Sequence, residues 1–201
     1  MSKYVITITR QFGSLGRPIA KRLSEILNIE YYDRDIVEAS AQKLNLPISV
    51  ISDQEESSSD FFKMLFPLGT ENLSQQKKIF ETQSKIIQEL ADKETCIIVG
   101  RCSDYILRNE KNAFHIYIYA PLDARMRNCV DSLGMSTSEA EKMIMSVDKA
   151  RLAFHKQYAK YSPGEPTSKH ILVNSAFLGV EGTAQLLAYV VRKKFSELKA
   201  L

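Results

Sequence analysis

No apolar run in this sequence approaches the roughly 20 residues that a membrane-spanning helix needs, so membrane insertion is not expected. Met1-Ser2-Lys3-Tyr4 also lacks the basic, apolar and cleavage-site order of a secretory signal. It runs directly into a β-branched stretch, and export is not expected either. Cysteine is scarce. Cys96, Cys102 and Cys129 are odd in number and form no CxxC pair. That argues against a disulfide framework or a four-ligand zinc site, and for small buried thiols in a reducing, cytoplasmic compartment. The three histidines, His115, His155 and His170, show no metal-ligand spacing. Excess charge is slight as well. Lys and Arg number 27 against 24 Asp and Glu, and a net +3 is too mild to imply nucleic acid unless it clusters on one face.

What remains is ordinary globular material: 201 residues, 44% hydrophobic and 25% charged, enough for one domain or one domain with a large insertion. Tyr4–Thr9 is continuous and β-branched, as in a strand buried on both faces. A turn at Gly13-Ser14-Leu15-Gly16 precedes Ile19, Leu23, Ile26 and Leu27 at helical spacing, and Ile29–Tyr32 reads as a second strand. This βαβ unit predicts a parallel sheet. A helix is expected from Asp33 or Asp35 to about Leu44. Residues 45–92 break the rhythm. The acidic, serine-rich Asp53–Asp60 reads as a solvated loop, the apolar Phe61, Phe62, Leu65 and Phe66 follow, and Leu73 to Leu90 sketch a long amphipathic helix. The segment is expected to be an insertion closing over the site. Strands follow at Thr95–Gly100 and Phe114–Ala120, with a short helix near Ser103–Arg108 between them. Pro121 suits a first helical position, and Ser136 with Glu139 suits a capping box opening a helix to about Tyr158. A last strand, Lys169–Val173, and a last helix, Val180–Leu198, complete the pattern.

The first strand–helix turn carries the chemistry. Backbone N–H groups of a glycine-bearing turn at a helix N-terminus cradle an anion. Here the turn spans Gly13 to Arg17, with Arg10 and Arg17 able to bind phosphate oxygens in bidentate fashion. Glycines serving a tight connection alone are the plainer alternative. The pattern GxxxxGK[ST] is absent: aligned without gaps, its glycines fall on Arg10 and Leu15, its lysine on Gly16 and its hydroxyl on Arg17. The lysine's phosphate contact and the hydroxyl's Mg²⁺ contact therefore need other residues, and Ser14 is the nearest hydroxyl.

The segment Ile8–Leu23, with Arg10, Gln11, Gly13, Ser14, Gly16 and Arg17, followed by Tyr31-Tyr32-Asp33-Arg34-Asp35, resembles the start of the cytidylate kinase-like family. Val99-Gly100-Arg101-Cys102 with Asp104-Tyr105-Ile106 is similar to a second family segment. So are Asp123, Arg125 and Arg127 with Asp148–Arg151, and Val173-Asn174-Ser175 with Leu178–Gly182. The resemblance implies a three-layer α/β P-loop kinase fold with a five-stranded parallel sheet. Within a single domain over 1–201, it implies a helical acceptor-binding insertion at 45–92 and a lid over about 121–168. It implies ATP and Mg²⁺ as cofactors and a nucleotide acceptor, CMP or dCMP first. It places Arg10, Gly13, Ser14, Leu15, Gly16 and Arg17 on the donor phosphates, and Asp33, Arg101 and Asp104 on the acceptor. Arg17, Arg125, Arg127 and Arg151 would meet the transferring group, with Asp148 orienting Arg151 or accepting from the acceptor ribose or base. Each has an ordinary counterpart: arginine and aspartate on helices are usually solvated, Asp148–Arg151 is also a simple (i, i+3) pair, and Asp33 also suits a helix cap. Two other functions stay open. One is a nucleotide-binding regulator without turnover, because the loop lysine and hydroxyl are missing. The other is a kinase whose acceptor is not a nucleotide. Oligomeric state is unreadable.

Overall fold

The computed structural model describes residues 3–33, residues 36, 39, 42 and 43, and residues 73–196. The acidic loop Asp53–Asp60 and the Phe61–Phe66 cluster lie outside these. The β-branched first run becomes strand β1 (Val5–Arg10), all six of its residues buried, because it is the middle strand of the sheet. Four more strands join it: β2 (Glu30–Tyr32), β3 (Cys96–Val99), β4 (Ala113–Tyr119) and β5 (Ile171–Asn174). Their order is β2-β3-β1-β4-β5, and every pairing is parallel. All C-terminal strand ends therefore share one edge, which brings Arg10, Asp33 and the residues just after Val99 together from distant parts of the sequence. Ligands of open parallel sheets bind at that edge.

Helices cover both faces. Helix α1 (Gly16–Leu27) buries Ile19 and Leu23 against the sheet and ends where Asn28 turns left-handed. Helix α2 (Leu73–Lys93) is not an appendage: Ile86 and Ile87 pack with Val5 and Ile98 in the core of the second face. Residues 45–72 of the expected insertion lie outside the described set. Ile36, Ala39, Gln42 and Lys43 are helical, within the helix expected after β2. A short α3 (Ser103–Ile106) follows β3. Helices α4 (Leu122–Leu133) and α5 (Thr137–Ala159) enclose a second core around Phe12, with Cys129, Met143, Ile144, Val147 and Phe154. Pro121 caps α4 from outside instead of occupying its first turn, while the Ser136–Glu139 capping box opens α5 as expected. A 3-10 turn at Pro166–Ser168 leads into β5. Helix α6 (Ser175–Ser196) starts five residues earlier than expected, but Gly179 (φ 63°, ψ −165°) interrupts it, so the regular part begins near Val180. Leu187 and Val191 of α6 join Ile6, Ile8 and Leu23 in the first core.

A buried histidine on β4 makes stability depend on pH. His115 is buried, its Nδ1 lies 2.8 Å from the Thr7 hydroxyl, and its ring stacks on His170. Burial first, and the neighbouring His170 second, lower its pKa from the usual 6.5 to about 4. Between those values the unfolded chain holds a proton that the folded one does not. Stability is therefore full above pH 6.5 and falls as pH drops toward 4, by about 3 kcal/mol from this residue. Burial shifts His170 in the same direction. Urea unfolding at pH 7.5 and 4.5 should show the loss, and His115→Gln should flatten it. An unchanged slope in the variant would remove His115 as the cause.

Candidate functional site

The loop after β1 is shaped by long-range contacts. Gln11 N–H donates to the Ile118 carbonyl, and the Gln11 side-chain oxygen accepts from Ala120 N. Phe12 N–H donates to Asp148 Oδ1 at 2.8 Å, and Asn128 Nδ2 donates to the Gly13 carbonyl at 2.8 Å. The Ser14 hydroxyl is fully buried and donates to the Gln11 and Ile118 carbonyls, while Ser175 Oγ donates to the Ser14 carbonyl. Leu15 (φ 58°) then turns the chain into α1, whose N-terminus has no side-chain cap. Its first N–H groups and the positive end of its dipole thus face the sheet edge.

Arg10 runs beneath this loop. A Cβ at Gly16 would lie 2.7 Å from the Arg10 Cβ, and one at Gly100 only 2.2 Å from Arg10 Nη1. Gly16 is therefore required by the stem of this buried arginine, and Gly100 by its left-handed backbone (φ 77°), with the guanidinium lying against it. Beyond Gly100 (φ 77°), Arg101 (φ 56°) and Cys102 (φ 52°) are also left-handed. Two consecutive non-glycine residues in that region carry strain of about 1–3 kcal/mol each, and the turn they make puts the buried Arg101 beside the same site.

Asp33, at the end of β2, is the carboxylate these arginines share. Arg17 Nε lies 2.5 Å from its Oδ2, and Arg10 Nη2 lies 3.6 Å from its Oδ1. Burial would raise the Asp33 carboxyl, but Arg10, Arg17 and Arg101 outweigh it and hold it below its usual range. The same crowding acts on the cations. Burial, with Arg10 and Arg17 adding to it against Asp33, pushes Arg101 down to about 10, and burial pushes Arg10 down. Arg151 comes in from α5, its Nη1 donating to the Arg10 carbonyl at 3.0 Å. Burial and then Arg10 push it well down. Guanidinium stays protonated in proteins, so these shifts register first the burial of the cations and second their mutual repulsion, which Asp33 partly offsets. Arg10 Nε, Arg17 Nη2 and Arg151 Nε are buried without a hydrogen-bond partner among the described residues.

The other expected residues fall elsewhere. Arg125 is buried, pairs with Asp148, and donates from Nη1 to the Phe12 carbonyl. Asp148 is thus hydrogen-bonded to Arg125 and Phe12 N–H, and reaches Arg151 through charge alone. Arg127, two residues on, points away; it is exposed and pairs with Asp123 at 3.0 Å. Asp104 is not in the arginine cluster. Its carboxylate lies 2.6 Å from Lys169 Nζ and 3.1 Å from His155 Nε2, and accepts from the Tyr161 hydroxyl at 3.1 Å. Lys169 and Asp104 side chains are both inaccessible to solvent. Tyr158, near the end of α5, stacks on Phe80 with ring centroids 3.7 Å apart.

A cavity of about 650 Å³ opens beside the loop, lined by Leu15, Pro18, Leu133, Met135 and Met143, with Arg10, Arg17 and Arg151 at its polar end. Among the described residues, no group of three or more His, Cys, Asp or Glu is placed to hold a metal, and no helix is long and apolar enough to cross a membrane. The residues that sequence reading missed are Phe12 and Asn128, which hold the loop, and His155 and Lys169, which hold Asp104. Their contacts span 51 to 136 residues and leave no local signal.

No protein of curated function matches the sequence. An uncharacterized protein from Eubacterium ventriosum shares the fold at TM-score 0.71 and 21% identity, over 94% of this chain and 98% of its own. A shikimate kinase from Acinetobacter baumannii in complex with shikimate aligns at TM-score 0.55 and 12% identity, over 96% of this chain and 95% of its own. A shikimate kinase from Bacteroides thetaiotaomicron gives 0.56 and 14%, over 95% and 99%. Likeness at these identities speaks for the fold, a P-loop kinase sheet with flanking helices. The sequence itself carries the closer relationship: the model of the cytidylate kinase-like family matches residues 5–176, which include the loop, Asp33, Arg101, Arg125 and Arg151, and the chain belongs to that family.

Proposed function

We propose that this protein is a phosphotransferase that moves the γ-phosphoryl group of ATP to a small phosphorylated acceptor, CMP or dCMP first among them. The observation that supports it best is the convergence of Arg10, Arg17, Arg101 and Arg151 on the uncapped N-terminus of α1, with Asp33 the carboxylate they share. Phosphoryl transfer asks the protein for positioning and for neutralisation of oxygen charge. In this reading the backbone N–H groups of Ser14 to Arg17, with Arg10 and Arg17, hold the donor phosphates. Arg101 holds the acceptor phosphate, and Arg151 faces the group in transit. Arg125 and Asp148 keep the Phe12 backbone, and hence the loop, in shape.

Magnesium finds no usual ligand in the loop. Ser14 is its one hydroxyl, and that hydroxyl is fully buried, its single proton shared between the Gln11 and Ile118 carbonyls. The loop does not fit the metal contact that the P-loop pattern provides, so no step is assigned to the metal. This same misfit, with the missing lysine, favours the second reading, a nucleotide sensor that binds without turnover.

A steady-state assay with ATP and Mg²⁺ against a panel of nucleoside and sugar monophosphates, with calorimetric binding alongside, separates the two. Turnover on CMP or dCMP is the expected result. Tight ATP binding with no turnover on any acceptor would select the sensor, and no nucleotide binding at all would overturn both.

A further inference from the structure

The buried group around Asp104 lies outside the phosphate cradle, yet it joins the segments that carry two of the cradle's arginines. Asp104 follows Arg101 by three residues, directly after the left-handed Gly100–Cys102 turn. His155 follows Arg151 by four residues on α5, and Asp148 precedes Arg151 by three, so the three side chains form one stripe along the helix. At its upper end Asp148 holds Phe12 N–H and Arg125. At its lower end, one turn or about 6 Å below Arg151, His155 Nε2 meets the Asp104 carboxylate at 3.1 and 3.2 Å. The contact is clamped from behind. Lys160 ends α5 in a left-handed cap, and the chain doubles back so that the Tyr161 carbonyl lies 3.0 Å from His155 Nδ1 while its hydroxyl donates to Asp104. Lys169, entering β5, closes the group at 2.6 Å from Asp104 and 3.0 Å from Ser168 Oγ.

From this geometry we infer that Asp104 and His155 are positioning residues that fix the separation between Arg101 on the β3–α3 turn and Arg151 on α5. The inference rests on the proposed reading of the cradle as a phosphate site, and it goes beyond it by assigning how the acceptor-side and lid-side cations are held in register. Neither positioning residue touches the phosphates. Tyr161 and Lys169 hold Asp104 itself.

The test is a double-mutant cycle on the full chain, crossing His155→Phe with Arg151→Ala, read in calorimetric affinity for inorganic pyrophosphate and, where turnover occurs, in kcat and KM. His155→Phe keeps a ring in place and removes the contact. The expected result is about a tenfold loss of pyrophosphate affinity. In turnover, kcat falls about 10²-fold with little change in KM, the penalty for misplacing a charge-bearing group by about 1 Å. In the Arg151→Ala background the same substitution should add less than about threefold, because coupled residues are not additive. His155→Gln, which restores an N–H toward Asp104, should recover most of the loss. Equal losses in both backgrounds, or no loss in either, would reduce the contact to plain fold stabilisation and overturn the inference. Should His155→Phe fail to fold, Tyr161→Phe, which removes one hydrogen bond to Asp104, enters the same cycle with smaller but still Arg151-dependent losses expected. A wild type that binds pyrophosphate but transfers to no acceptor removes the proposed reaction while the affinity cycle still decides this one. A wild type that binds no pyrophosphate overturns both.

Discussion

Replacing Lys169 with Met should unfold the protein at markedly lower denaturant, a loss of about 3–5 kcal/mol. Lys169 and Asp104 side chains are both fully excluded from solvent, and Nζ stands 2.6 Å from Oδ2. Two charges brought out of water are tolerable only together. Removing the cation leaves the carboxylate buried, with His155 and Tyr161 as its remaining partners. Burial alone would raise the Asp104 carboxyl; instead His155 and Lys169 hold it below its usual range. For a chain of this size the loss corresponds to a fall in Tm of about 10 °C or more. The companion Asp104→Asn/Lys169→Met should regain a good part of it, since removing both charges deletes the desolvation cost together with the attraction. Urea midpoints of the wild type, of Lys169→Met and Asp104→Asn alone, and of the double variant decide the matter. A double variant as unstable as the sum of the singles would show that hydrogen bonding around Asp104, and not charge, holds the region.

The same residue explains how far the sequence could be read. Runs of one period are legible because their cause is local. Val5–Arg10 is β-branched but for Arg10 and Cys96–Val99 but for Cys96, both are buried on both faces, and Ser136 with Glu139 closes a capping box within four residues. Arg10 and Arg17 could be found because the loop they flank is contiguous. Asp104 misleads for the opposite reason. Its place three residues after Arg101 suggests a shared site, but three successive left-handed residues turn α3 so that the carboxylate points inward. Its cation lies 65 residues away in sequence, at a distance no local pattern reports. Ser14 is hidden the same way, its hydroxyl claimed by a carbonyl of β4. Spacing separates Arg127 from Arg125. Residues two apart on a helix lie about 160° from each other, so once Arg125 turns inward to Phe12, Arg127 must face solvent, where Asp123 meets it.

Arg17→Ala should weaken triphosphate binding by about 10²–10³-fold, whereas Lys21→Ala, one turn further along α1, should change it less than about threefold. The lower bound matches removal of one well-placed donor to a charged oxygen. Two features of this site push the loss upward. Arg17 stands at the uncapped first turn of α1, where the helix end already favours an anion. It also neutralises Asp33 at 2.5 Å. Deleting it both removes a donor and leaves a buried carboxylate, already held ionised, less screened beside the phosphates. Arg10, 3.6 Å from Asp33, is then drawn toward it and away from the ligand, while the Tyr31 hydroxyl at 3.5 Å still donates to the carboxylate. The double substitution Arg17→Ala/Asp33→Asn separates these contributions. If carboxylate repulsion supplies part of the loss, the double variant binds triphosphate more tightly than Arg17→Ala alone, by about tenfold. If the double variant binds as weakly as the single, the whole loss belongs to the missing guanidinium. Equal and small effects at Arg17 and Lys21 would remove Arg17 from the phosphate site and, with it, the arginine loop as a replacement for the absent lysine. Lys21 is the right control because it is exposed and carries the same charge on the same helix, so long-range attraction alone would treat the two alike.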